Sequence, residues 1–192
     1  MGLMATFYAE RAIRASNALL PFATKRSGWS WRPWRRVALR TEQLRLELAL
    51  PRAVAAAEDF LLMRATEKLR PSLLQPVAAT PGADPVRQRL RDARKNFEQL
   101  KGVWLHEFGV DIEALSDWSA FERWRDLRHI LVHRLGYWQP ALDPQPRLKD
   151  RIRSLGEDPD LYRGLVPLAA QDVSNAVSTT NRLVLDADGR CR

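Results

Sequence analysis

Cysteine is nearly absent from this 192-residue chain, whose one cysteine is Cys191. A single thiol excludes an intramolecular disulfide and a thiolate metal cage, so we expect a reducing, cytoplasmic setting. Long apolar runs are lacking too, and none approaches the roughly 18 residues of a transmembrane helix. Near the start of the chain, Glu10, Arg11 and Arg14 interrupt the apolar residues, which argues against a signal peptide. We therefore expect a soluble protein with no membrane partner.

Strand-like alternation is also lacking, and apolar residues recur at helical intervals instead. The spacing predicts helices over about 6–20, 37–69, 86–108, 148–155 and 167–185, and a central helix that is capped by Ser116 and closed by Gly136. Pro51 predicts that the second segment is either one bent helix or two helices. The same spacing predicts that the core includes three leucines, Leu44, Leu48 and Leu105.

These segments predict an all-α fold, a bundle of about five to six helices. A hydrophobic content of 45% is enough for one sizeable core, so we expect a single domain over residues 1–192. Its predicted parts are an N-terminal helix with a Trp/Arg-rich segment (1–35), a main bundle (36–186) and a tail (187–192).

Positive charge is in excess, because 31 Lys and Arg residues against 23 Asp and Glu residues give a formal net charge of +8. This charge suits a polyanionic partner such as nucleic acid or an anionic membrane surface, although a soluble basic protein without such a partner has the same composition. Three tryptophans lie among cationic and turn residues in the segment 25–36. Their rings either stack on bases or cover the core or a subunit interface.

The central helix concentrates the titratable groups of the chain, including two of its three histidines. At about 100° per residue, one narrow stripe of this helix carries Glu122, Asp126, His129 and His133. The opposite face is apolar and collects Trp124, Leu127, Leu131, Leu135 and Trp138. We therefore predict that the titratable stripe faces away from the core.

Three interpretations of this stripe compete. His129 and His133 with Asp126 would suit zinc, but such a site usually has a further ligand, and the remaining histidine is His106. Alternatively, the imidazoles form a structural pair held by acids, buried or at a subunit interface. In the third interpretation a histidine moves protons to or from the 2′-hydroxyl or leaving oxygen of RNA, and an arginine neutralises the charge on phosphorus. That reaction needs no metal, because RNA carries its own nucleophile.

The run from Arg128 to His133, Arg-His-Ile-Leu-Val-His, followed by Arg-Leu-Gly, resembles the motif of the HEPN superfamily. That motif is an arginine and a histidine separated by four to six residues, the first of them often polar, as His129 is here. The order of helices over about residues 45–185 is also similar to the family's. The resemblance implies a helical bundle that pairs so that two copies of the motif face each other across a positively charged cleft.

The same resemblance implies a metal-independent endoribonuclease with no cofactor, acting as a toxin or in defence against phage. It implies RNA, a second copy of the chain and a cognate antitoxin as partners. We expect His133 to transfer protons and Arg128 to bind the phosphate, with His129 orienting the substrate. Asp126 and Glu122 would hold the imidazoles, and Arg125 and Arg134 would bind RNA. Other members of the family are inactive and bind RNA or proteins, which is the alternative function here.

The spacing of the motif bears on pairing. His133 is five positions after Arg128, so the two side chains lie about 140° apart around an ideal helix. Two copies of the chain would bring both residue types to one phosphate, although a distorted helix end would do so within one chain. The simplest alternative for Arg128 is an ion pair with a neighbouring helix.

Overall fold

Residues 2–21, 32–73, 85–133, 136–138 and 146–191 are described by a computed structural model of the chain. Its helices are α1 (Gly2–Asn17), α2 (Arg32–Leu73), α3 (Pro85–Lys95), α4 (Phe97–Phe108), α5 (Trp118–His133), α6 (Pro146–Ser154) and α7 (Ala170–Arg190), with a 3₁₀ turn at Ile112–Ala114. No β-strand occurs in these ranges, so the predicted all-α fold is confirmed for them. The described residues form seven α-helices, where the sequence predicted five to six.

The long helix α2 organises the packing. It lies along α7, α1 packs against both of these helices, and α5 packs against α2 and α7. α2 continues through Pro51, which settles the choice between one helix and two. The proline ring removes one main-chain hydrogen bond, but the flanking Leu50, Ala53 and Val54 are fully buried. Their tertiary packing supports the helix where its own hydrogen bonding is interrupted.

The predicted helix over 86–108 is divided into α3 and α4 at Asn96. This residue has an extended backbone (φ −137°, ψ 120°), and its side chain accepts a hydrogen bond from the backbone N–H of Glu98. Asparagine is a favoured N-cap because its side-chain oxygen satisfies a free N–H of the first turn. At the other end Gly109 adopts a left-handed conformation with φ 66°, so it ends α4 as predicted.

The start of α5 also differs from the prediction, because the helix begins after Asp117 and not after Ser116. The Asp117 carbonyl accepts the first helical hydrogen bond, from Phe121 (2.8 Å). The backbone N–H of Ser116 instead donates to Asp186 on α7 (2.6 Å). Asp117 has a positive φ of 64°, and Arg182 of α7 holds its carboxylate with two hydrogen bonds of 2.6 and 2.9 Å. The entry to α5 is thus fixed to α7.

Most of the core follows the predicted apolar faces. Trp104 is fully buried and its indole N–H donates to the Leu61 carbonyl at 2.9 Å. Trp124 and Leu127 of α5 are buried as well. Three leucines that were predicted to be buried are exposed: Leu44, Leu48 and Leu105. Among the described residues, no helix is long and apolar enough to cross a membrane.

Candidate active site

An open cavity of about 160 Å³ lies where α5 meets α2. Seven residues line it: Glu58, Arg125, Asp126, Arg128, His129, Val132 and His133. The structure therefore brings five of the predicted site residues to one opening. Glu122 does not line the cavity, although it is exposed on the same stripe. Arg134 lies outside the described residues, as do Trp29 and Trp31.

The two imidazoles lie against each other on the solvent side of α5. The ring centroids of His129 and His133 are 4.7 Å apart and the ring planes meet at 44°. Both side chains are exposed, as the stripe predicted. In the described part of the chain neither ring is hydrogen-bonded to Asp126 or Glu122, so the predicted support by these acids is not made within one chain.

Arg128 forms an ion pair with a neighbouring helix, which was the simplest alternative for this residue. Its Nη1 donates to Oε2 of Glu58 on α2 at 2.5 Å. The other oxygen of this carboxylate accepts from Nε of Arg125 at 2.9 Å. One acid therefore braces both arginines, and the cluster keeps a net charge of +1 at neutral pH.

Arg125 is fixed from a second side by an aromatic ring. Its guanidinium carbon lies 3.7 Å from the ring centroid of Phe97, the first residue of α4. Phe97 in turn stacks on Trp118 at the start of α5, with centroids 5.7 Å apart and planes at 15°. A cation over an aromatic face is attracted by the ring quadrupole. These contacts join α4, α5 and α2 in one continuous cluster.

Arg128 and His133 line the same cavity although an ideal helix would set them far apart in angle. The reason is that Arg128 lies at the edge of the apolar face, where its stem is half-buried and its head reaches Glu58. His133 is at the last residue of α5. One chain thus offers an arginine and a histidine at a single opening.

The remaining histidine is remote from this cluster. His106 lies on α4, is exposed, and shares a 3.0 Å hydrogen bond with its neighbour Glu107. Within the described ranges, no group of three or more His, Cys, Asp or Glu side chains is placed to hold a metal ion. A zinc site made by one chain alone is therefore not formed there.

Glu58 is the charged residue of the cavity that was not predicted from the sequence. A signal for it was present, because Val54, Glu58 and Leu61 follow the spacing of the buried face of α2. An acid on such a face needs a cationic partner, since burying an unpaired charge is unfavourable. The negative charge of Glu58 on this face therefore indicated a basic neighbour, but it did not show which arginine that neighbour is.

Comparison with models of known families, with curated proteins and with solved structures gives no match for this chain.

Proposed function

We propose that this protein is a HEPN-like, metal-independent endoribonuclease whose active site is the α5 cavity and is completed by a second copy of the chain. The observation that carries the proposal is that Arg128, His129 and His133 line one open, polar cavity. An exposed imidazole can exchange protons with a substrate, and an adjacent guanidinium can bind a phosphate.

In the proposed reaction, His133 takes the proton of the 2′-hydroxyl as the 2′-oxygen attacks the adjacent phosphorus. The bond from phosphorus to the 5′-oxygen breaks, that oxygen receives a proton from the protonated His133 of the second copy, and a 2′,3′-cyclic phosphate remains. Arg128 stabilises the negative charge on the phosphoryl oxygens. Of the five N–H donors of its guanidinium, only those on Nη1 contact Glu58 among the described residues, so the others are available to a phosphate.

The other predicted site residues have supporting roles in this proposal. His129 orients the substrate or the second imidazole, and Arg125 and Arg134 add positive charge along the RNA path. Asp126 and Glu122 hold the imidazoles of the facing copy in position.

The test is cleavage of labelled single-stranded RNA by purified protein in EDTA. We expect cleavage by the wild type and its loss in His133→Ala. The matched control is His106→Ala, which removes an exposed histidine outside the cavity and should cleave as the wild type does. Equal cleavage by His133→Ala and the wild type, or cleavage that needs added divalent metal, would reject this site.

The alternative function is a catalytically inactive HEPN-like module that binds RNA or another protein. The pairing of both Arg125 and Arg128 with Glu58 favours it, because an arginine engaged by an acid binds phosphate less strongly. In the same assay such a module would shift RNA in a gel without shortening it. A third outcome, neither shift nor cleavage, would indicate a bundle with no role on RNA.

The proposal also covers the location and role of the protein in the cell. We place the protein in the cytoplasm as a toxin or phage-defence effector that a cognate antitoxin restrains. Induced expression of the wild type should then arrest growth while His133→Ala does not. Growth unaffected by an active, well-expressed wild-type enzyme would reject the toxin role and leave the nuclease activity standing.

A further inference from the structure

The two imidazoles of α5 have a geometry that suits a shared metal ion. They lie one helical turn apart with ring centroids separated by 4.7 Å. Zn–N bonds of about 2.0–2.1 Å would put each centroid about 3.2 Å from the metal, so two rings at N–Zn–N angles between 90° and tetrahedral would have centroids about 4.5–5.2 Å apart. The observed separation of 4.7 Å falls within this range.

The electrostatics around the pair also favour a cation. Glu122 and Asp126 are exposed on the same stripe of α5. The two cations that line the cavity, Arg125 and Arg128, are balanced by two lining acids, Glu58 and Asp126. The lining therefore carries no net positive charge that would repel a divalent metal, and Glu122 adds a further carboxylate on the same face of α5.

One chain supplies only two imidazoles, whereas closed zinc sites have four ligands. In the described residues no third His, Cys, Asp or Glu side chain joins them. The exposed pair can be completed by the same pair of a second copy, because a two-fold axis through the cavity would add two more imidazoles. The set of four nitrogens would then suit Zn²⁺, Ni²⁺ or Cu²⁺ and not Mg²⁺.

We propose that His129 and His133 of two chains together bind one Zn²⁺ ion, and that this ion joins the copies and blocks the cavity. Coordination occupies the ring nitrogens that would otherwise accept or donate protons, so zinc would inhibit the cleavage reaction. The inhibitory consequence rests on the proposed function, whereas the binding of zinc does not. The proposed zinc site is thus regulatory, and the cleavage reaction itself uses no metal.

Zinc binding is measured directly, with untagged protein so that no added histidines compete. Titration calorimetry should give one Zn²⁺ per two chains, and light scattering after size exclusion should show dimer mass in zinc. His129→Ala should lose zinc binding at concentrations that saturate the wild type, and His106→Ala should retain it. No zinc binding, binding of one ion per chain, or unchanged binding by His129→Ala would overturn the proposal.

The cleavage assay separates this inference from the proposed function. If both hold, wild-type protein cleaves RNA in EDTA and stops when zinc is added in excess of the chelator. A chain that binds zinc between two copies but does not cleave RNA in EDTA would refute the nuclease and leave the metal site in place. Cleavage that continues at saturating zinc would overturn the blocking role.

Discussion

Replacing Glu58 by glutamine tests the cluster that holds the candidate site together. The change keeps the size of the side chain and removes the charge that pairs with Arg125 and Arg128. Both arginines would then remain beside a neutral amide that can accept only weaker hydrogen bonds. We expect Glu58→Gln to fold but to be less stable than the wild type.

The magnitude follows from how far these groups are buried. The side chains of Glu58, Arg125 and Arg128 are 18%, 24% and 36% exposed. Fully exposed ion pairs contribute about 0.2–1 kcal/mol, whereas breaking a buried pair costs about 3–5 kcal/mol. Partial exposure places the two pairs together between these limits, at about 1–2 kcal/mol. For a chain of this size that corresponds to a decrease in Tm of about 2–8 °C.

Urea unfolding of Glu58→Gln and the wild type measures this difference through the transition midpoint at constant slope. Asp59→Asn is the matched control, because Asp59 is the next residue of α2, is exposed, and has no ion pair within the described chain. It should stay within about 0.5 kcal/mol of the wild type. Equal stability of Glu58→Gln and Asp59→Asn would refute the view that this acid stabilises the two arginines.

Three further predictions concern other parts of the fold. Asn96→Ala should lower the free energy of unfolding by about 1 kcal/mol in urea, because it removes the N-cap of α4, and no loss would contradict that role. The hydrogen bonds from Arg182 lower the pKa of Asp117 below its ordinary value of 3.8, so this carboxylate stabilises the fold above that pH and stops doing so as the pH falls through its folded value. Asp117→Asn should therefore be slightly less stable at pH 7, by less than about 1 kcal/mol, and equal to the wild type in strong acid, whereas a gap that persists in acid would contradict the assignment. Burial raises the pKa of the Cys191 thiol to about 11, so iodoacetamide at pH 8 should modify it at least about tenfold more slowly in native protein than in urea, as mass spectrometry would show, and equal rates would place the thiol in solvent.

The helices could be predicted from the sequence because apolar spacing is a local property. The buried faces of α5 and α7 follow that spacing directly. Leu44 and Leu48 have the same spacing but are exposed, since burial also requires a neighbouring element to cover the helix. Periodicity shows which side of a helix is apolar and not how far along the helix that side is covered.

The break at Asn96 shows that apolar spacing does not reveal every helix end. Asparagine occurs inside helices as well as at their ends, so the apolar pattern on either side concealed the cap. The titratable stripe of α5 was predictable for the same reason as the core, because exposure follows from one helical period. The contacts of Arg125 with Glu58 and Phe97 were not, since they join three helices that are distant in sequence.

The same contacts determine which variant can test catalysis cleanly. Arg128→Ala would remove a phosphate contact and also leave Glu58 with one partner fewer, so lost activity would have two explanations. Arg128→Lys does not avoid this, because lysine lacks the guanidinium geometry that reaches two acceptors. His133 is exposed, and its ring lies against that of His129. Its replacement should leave the fold intact, so a loss of cleavage in His133→Ala at unchanged stability would be a loss of chemistry.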